Sequence, residues 1–211
     1  NLAASARYDL AQRQVLEFGI ARRARSPNLY ERYTWSSWAM AASMNNFVGD
    51  GNGYVGDVGL DPESAWTGSA TWRWTSADGT DRVELTPFFT QVDDYIDAVP
   101  TTVFRDNQFN VLRYANQSAR LWGLNLAGQM RLGESERLGS FDIGARLEWQ
   151  RGENRDTNES LYQQMPPNAA LDLTHALGAW RGTLEWELVD AKTRVSDVRN
   201  EIATAGHGLL H

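Results

Sequence analysis

The sequence predicts an all-β fold, an antiparallel up-and-down transmembrane β-barrel. Three observations carry this. Apolar and polar residues alternate along most of the chain. Half of the alternating segments are about 8 to 12 residues long and the others are longer, so each reaches the roughly 9–11 that a tilted strand needs to cross a bilayer. The links between them are alternately short and long.

Successive side chains of a strand point to opposite faces, so each segment splits into two sets. The first segment, near 2–10, has Leu2, Ala4, Ala6 and Tyr8 on its apolar face. The second, near 14–24, has Leu16, Phe18 and Ile20. The third, near 65–75, has Trp66, Gly68, Ala70, Trp72 and Trp74. The fourth, near 83–96, has Val83, Leu85, Pro87 and Phe89. Pro87 fits worst, because proline cannot donate to a central ladder. A bulge is expected there, since the phase slips at Phe88-Phe89. The fifth, near 112–132, has Trp122, Leu124, Leu126, Met130 and Leu132, and its length predicts a strand that projects beyond the membrane. The sixth, near 139–151, sets Phe141, Ile143, Ala145, Leu147 and Trp149 against Asp142, Gly144, Arg146 and Glu148. The seventh, near 168–177, has Ala169, Leu171, Leu173 and Leu177. The eighth, near 180–195, sets Trp180, Gly182, Leu184, Trp186 and Leu188 against Arg181, Thr183, Glu185 and Glu187.

The links at 11–13, 76–81, 133–138 and 178–179 are short; those at 25–64, 97–111, 152–167 and 197–205 are long. Short turns on one rim and long loops on the other mark an outer-membrane barrel, whereas a soluble sandwich has no reason to sort its loops. Tyr8, Trp74 and Trp180 lie beside short turns, and Trp66, Trp122, Trp149 and Trp186 lie towards the long-loop ends. Two aromatic girdles would have this distribution.

The 211 residues carry a net charge of −7, and the mean hydropathy is −0.50. No apolar run approaches the ~18 residues of a membrane helix. Low hydropathy is compatible with a barrel, in which only alternate residues face lipid. Cysteine is absent. The acidic balance argues against a nucleic-acid partner. The chain starts at Asn1 and ends at His211 within an apolar stretch, Gly208-Leu209-Leu210, so a piece of a longer barrel is expected.

The long link 25–64 is the candidate ligand surface. It carries Tyr30, Tyr33, Trp35, Trp38, Phe47 and Tyr54, with Met40 and Met44. Aromatic rings with a few polar groups suit a bulky organic chelate. The two methionines offer thioethers to copper(I), or simply pack the loop. Gly49-Asp50-Gly51-Asn52-Gly53 lacks the spaced carboxylates of a calcium loop and reads as a turn. No histidine pairs with a second ligand at metal spacing. The inward charges, among them Glu17, Arg73, Glu84, Arg131, Asp142, Arg146 and Glu185, read as a wet wall of mutually paired groups. No catalytic residue, metal site or cofactor is expected, because no nucleophile elbow, phosphate loop or metal-hydrolase pattern occurs.

Three motifs resemble those of TonB-dependent outer-membrane receptors. The first ends the second segment as Arg25-Ser26-Pro27-Asn28-Leu29-Tyr30-Glu31. The second is Gly59-Leu60-Asp61-Pro62-Glu63-Ser64, with Gly59 where the family usually has Asn. The third is Tyr114-Ala-Asn116 followed by Leu121-Trp-Gly123-Leu-Asn125, with Asn125 where the family usually has an acid. Tyr30-Glu-Arg-Tyr33-x-Trp35 and the Gly49–Gly56 run are similar to a branch that includes copper receptors. The resemblance implies a 22-stranded barrel with an N-terminal plug, of which this chain would be about strands 12 to 19. It also implies an active-transport receptor of the Gram-negative outer membrane. Such a receptor would bind a ferric siderophore or copper at external loops and import it with energy from the TonB complex. A passive porin-like or structural barrel is the alternative.

Overall fold

Strands form at all eight expected places, and the computed structural model describes residues 1–44, 46–47, 49–101 and 110–211. They are β1 (Leu2–Ala11), β2 (Gln14–Arg25), β4 (Glu63–Thr75), β5 (Arg82–Pro100), β6 (Val111–Ser135), β7 (Gly139–Asn154), β8 (Asn168–Leu177) and β9 (Trp180–Val189). Two short strands accompany them, β3 (Gly53–Val55) in the first long link and β10 (His207–Leu210) near the C-terminus. The sheet order is β1-β2-β4-β5-β6-β7-β8-β9-β10, with β3 attached to β6. All neighbours pair antiparallel except β3, which runs parallel to β6 at Gly53–Val111 through Val55–Arg113. β1 and β10 are the two ends of this order, so the sheet is open.

The register joins the apolar sets into one face. Phe18 lies opposite Ala6 and Ala70, Leu126 opposite Leu85 and Leu147, and Leu173 opposite Ile143 and Leu184. Leu132 departs from this face as the extra residue of a bulge between Arg131 and Gly133. This face is not a protein core, since Phe18, Phe89 and Leu184 are 51%, 50% and 50% exposed. The opposite face encloses a hollow of about 660 Å³ beside Arg73, Glu84, Arg146 and Asp172, which makes the charged side the concave one. There Arg73 bridges Glu17 at 2.7 Å and Glu84 at 2.6 Å, and Arg131 meets Asp142 at 3.0 Å. Threonine hydroxyls pair across strands at Thr67–Thr90, Thr71–Thr86 and Thr174–Thr183. Water reaches these ion pairs, so each contributes at most about 1 kcal/mol.

Further details differ from the sequence reading. Pro87 causes no bulge: it stays in register with Leu124, and Ser69–Phe88 and Trp72–Leu85 remain in phase on either side. The Phe88-Phe89 doublet has another cause. Phe88 faces inward over Gly123, where a Cβ would come within 2.7 Å of its ring. The bulge lies at Asp93-Asp94, between Val92 and Tyr95, with Asp94 at φ 56°. The eighth strand stops at Val189 rather than 195: Asp190 still donates to the Pro167 carbonyl at 2.9 Å, but Pro167 has no N–H to return the bond and the ladder ends there. β6 extends further than expected, from Val111 to Ser135, and the tip of the link 97–111 lies outside the described residues. At the short-turn rim, Gly139 sits at φ +72°, and a Cβ would stand 1.9 Å from the Ala176 carbonyl oxygen. Only glycine fits so tight a hairpin.

Candidate functional site at the long-loop rim

The first long link is folded, not irregular. Pro27 and Asn28 end β2 and start α1 (Leu29–Tyr33). Asn28 Oδ1 accepts from the Glu31 amide at 2.8 Å, and Glu31 accepts from the Asn28 amide at 2.7 Å, a reciprocal capping box. Arg25 then forks between two acids. It donates to Glu63 at 2.6 and 2.7 Å and to Glu31 at 2.9 and 3.0 Å. Glu63 also accepts from the Ile96 amide at 2.8 Å. Asn116 donates to the carbonyls of Asp61 at 3.0 Å and Asp94 at 2.8 Å, and accepts from the Asp61 amide at 2.8 Å. The three motifs thus meet in space. They pin the loop and the β5 bulge to the ends of β2, β4 and β6.

A second node joins the first and last long links. Arg199 ends a 3-10 turn at Asp197–Arg199 and is buried. It donates to the Tyr54 hydroxyl at 2.8 Å and to Asp97 at 2.9 Å. Its guanidinium lies 5.4, 6.0 and 5.0 Å from the rings of Tyr54, Tyr114 and Tyr162. The Tyr54 hydroxyl donates to Asp50 in a short contact. Asn52 donates to Asp50 at 3.0 Å, and Asn200 donates to Asn52 at 2.8 Å. Tyr54, Leu60, Ile96, Ala98, Leu112 and Tyr114 form the apolar cluster beneath.

Burial raises the Tyr54 hydroxyl above its ordinary range, with Arg199 opposing and Asp50 reinforcing. The docked loop therefore holds this proton more tightly than an open loop. Docking keeps its full stability below the ordinary tyrosine value of about 10, and loses it as pH rises above that. Near-ultraviolet circular dichroism is expected to report loosening of this cluster above about pH 10. A Tyr54→Phe variant should show less of this loosening, with Tyr114 still buried in the same cluster. An unchanged signal to about pH 12 would contradict the assignment.

The expected ligand residues separate into two groups. Tyr33, Trp35, Trp38, Met40, Met44 and Phe47 are exposed. Met40 and Met44 lie one turn apart on α2 (Ala39–Met44). Tyr30 and Tyr54 are supports. Tyr54 is fully buried, and Tyr30 packs edge-on against Phe47 at 5.4 Å and Tyr114 at 6.1 Å. Among the described residues no group of three His, Cys, Asp or Glu side chains forms a metal site. Sequence reasoning missed Asp50, Asp97 and Arg199. Their only local signal is the Gly49–Gly53 turn, which places Asp50 but does not name its partner.

The sequence matches the family model described as TonB dependent receptor-like, beta-barrel, over residues 2–210. The chain belongs to this family. Its members are transport receptors, not enzymes, built on outer-membrane barrels of Gram-negative bacteria. Solved members share the fold. Copper transporter OprC aligns with a TM-score of 0.76 at 18% identity, over 99% of this chain and 29% of that one. A mutant of the ferric enterobactin receptor PfeA from Pseudomonas aeruginosa, in complex with enterobactin, aligns at 0.73 and 15% identity, over 98% of this chain and 31% of that one. The siderophore receptor PirA from Pseudomonas aeruginosa aligns at 0.65 and 17% identity, over 99% of this chain and 34% of that one. The chain therefore spans about a third of these receptors. No curated protein sequence matches it.

Proposed function

We propose that this chain is part of an outer-membrane receptor that captures a scarce metal complex at its external loops and imports it with energy from TonB. In that reading the chain supplies about eight strands of a 22-stranded barrel. The plug and the TonB-binding segment lie in other parts of the protein. The exposed aromatic group Tyr33, Trp35 and Trp38, held at the rim by the Arg25 and Arg199 nodes, carries the reading. Flat rings on a fixed support offer contact area to a bulky chelate at low ordering cost. The ligand class is a ferric siderophore or copper, and the ring-rich surface favours an organic chelate.

Point substitutions test this better than excision of the loop. Removing residues 36–52 would also remove Asp50 and Asn52 from the Arg199 node. Changing Tyr33, Trp35 and Trp38 together to Ala in the full protein is expected to weaken ferric-chelate binding by roughly tenfold or more, about 1.4 kcal/mol or above. The barrel should stay folded. Unchanged chelate affinity would remove this surface as the site. Changing Met40 and Met44 together to Leu keeps volume and removes the thioethers. Copper(I) affinity is expected to stay the same; a fall would move the reading to direct copper contact.

A further inference from the structure

On three strands, the first outward residue beyond the apolar run, on the long-loop side, is an arginine. Ile20 is followed by Arg22 on β2, Trp122 by Arg120 on β6, and Trp149 by Arg151 on β7. Each arginine lies over an outward tryptophan: Arg22 over Trp66 at 6.0 Å, Arg120 over Trp122 at 5.5 Å, and Arg151 over Trp149 at 5.4 Å. The register makes these residues neighbours. Arg22 pairs with Trp66, Trp66 with Gln91, and Gln91 with Arg120; one step towards the short turns, Trp122 pairs with Arg151.

The charges are only partly met. Arg120 pairs with Glu153 at 2.8 Å. Arg22 donates to the neutral Ser64 hydroxyl at 3.1 Å. Among the described residues neither Arg22 nor Arg151 has a carboxylate partner. Asp93, further from the apolar band, is bonded by Gln91 at 3.2 Å. Beside Arg151, a hollow of about 120 Å³ is lined by Trp149, Pro166, Lys192 and Arg194. Lys192 is taken by Glu201 at 2.5 Å. The short-turn boundary differs: its outward positions include Tyr8, Trp74, Val83, His175 and Trp180, none of them arginine.

We infer that Arg22, Arg120 and Arg151, each seated on its tryptophan, form a binding surface for phosphate-bearing lipid headgroups of the external leaflet. The occupant is a lipid, because the arginines border the apolar face that must meet acyl chains. It is anionic, because two of the three cations lack a protein counter-charge. It is phosphate-bearing, because a guanidinium presents a planar fork that matches phosphate oxygens. Stacking on tryptophan holds that fork at the headgroup level and contributes a cation–π attraction. The asymmetry between the rims assigns the surface to the leaflet on the long-loop side. The inference rests on the outward face meeting the membrane, and is independent of which ligand is transported.

The test uses the full protein folded in detergent micelles. Brominated phosphatidic acid and brominated phosphatidylcholine serve as probes, and quenching of tryptophan fluorescence is the readout. The wild type is expected to prefer phosphatidic acid. Arg22→Gln alone, which breaks no ion pair, should lower that preference by about fivefold, and the triple change with Arg120→Gln and Arg151→Gln by more. A control with the same charge loss on the inward face, Arg7→Gln, Arg23→Gln and Arg181→Gln, should leave it unchanged. Equal quenching of the wild type by both lipids, or an equal loss in the control, would overturn the proposal. Quenching by neither lipid would overturn the membrane-facing assignment along with it. Chelate binding by the triple variant is expected to match wild type, so failure of the transport reading leaves this test intact.

Discussion

Replacing Arg199 with Met is expected to unlatch the two long links at the rim while leaving the barrel wall intact. The side chain is 8% exposed and stands among Asp97, Tyr54 and Asp50, whose own side chain is fully buried. Removing one partner of a buried charge cluster leaves the others without compensation, which costs about 3–5 kcal/mol. Because Asp50, Asn52 and Asn200 also bond one another, the loss should spread to residues 49–54 and 196–201 together. Hydrogen exchange of those segments in the full protein would measure it. Arg199→Lys keeps the charge but loses the fork and the stacking, so an intermediate loss is expected. Unchanged protection in Arg199→Met would mean that the loops dock independently of this residue.

The second large effect concerns the outward face. Leu184 lies in mid-strand on β9, opposite Leu173, and is half exposed. Leu184→Arg is expected to impair folding into lipid vesicles by about 2–4 kcal/mol, the cost of a cation near the bilayer midplane. Trp149→Arg should cost less, because Arg151 already marks the polar boundary on its strand. Glu185→Gln should cost least. It loses only an exposed 3.6 Å pair with Arg146, worth at most about 1 kcal/mol. Glu148→Gln should be similarly mild. The reverse ranking would show that the two faces are inverted.

The wall was legible in the sequence because it follows a short-range rule. A period of two fixes each face, and loop lengths fix which rim is which. The antiparallel partners of Phe18, Leu126 and Leu173 follow from adjacency alone. What was not legible depends on long-range contacts. The Gly49–Gly53 run reads as a bare turn, yet Gly53 opens β3, and Asp50 meets Arg199 only through the docking of two loops distant in sequence. Pro87 shows the limit of a local rule: a missing donor does not shift register when the flanking pairs hold it in phase. Conversely, the Asp93-Asp94 bulge has no local signal beyond paired acids, and Asn116 stabilises it from another strand. Tyr30 and Tyr54 looked like the other aromatics of the loop. Tyr54 is covered where β3 pairs with β6, and Tyr30 where it packs on Phe47 and Tyr114.

Energy-driven transport is tested most directly by uptake in cells carrying or lacking the full gene. Radiolabelled ferric siderophore and radiolabelled copper would be supplied at low concentration, with and without a protonophore that removes the energy source for TonB. Restoring the gene is expected to restore uptake of one of these ligands, the protonophore to abolish it, and the Tyr33, Trp35 and Trp38 variant to reduce it. Uptake that depends on the gene but persists without energy would rule out TonB-driven transport and identify a passive pore.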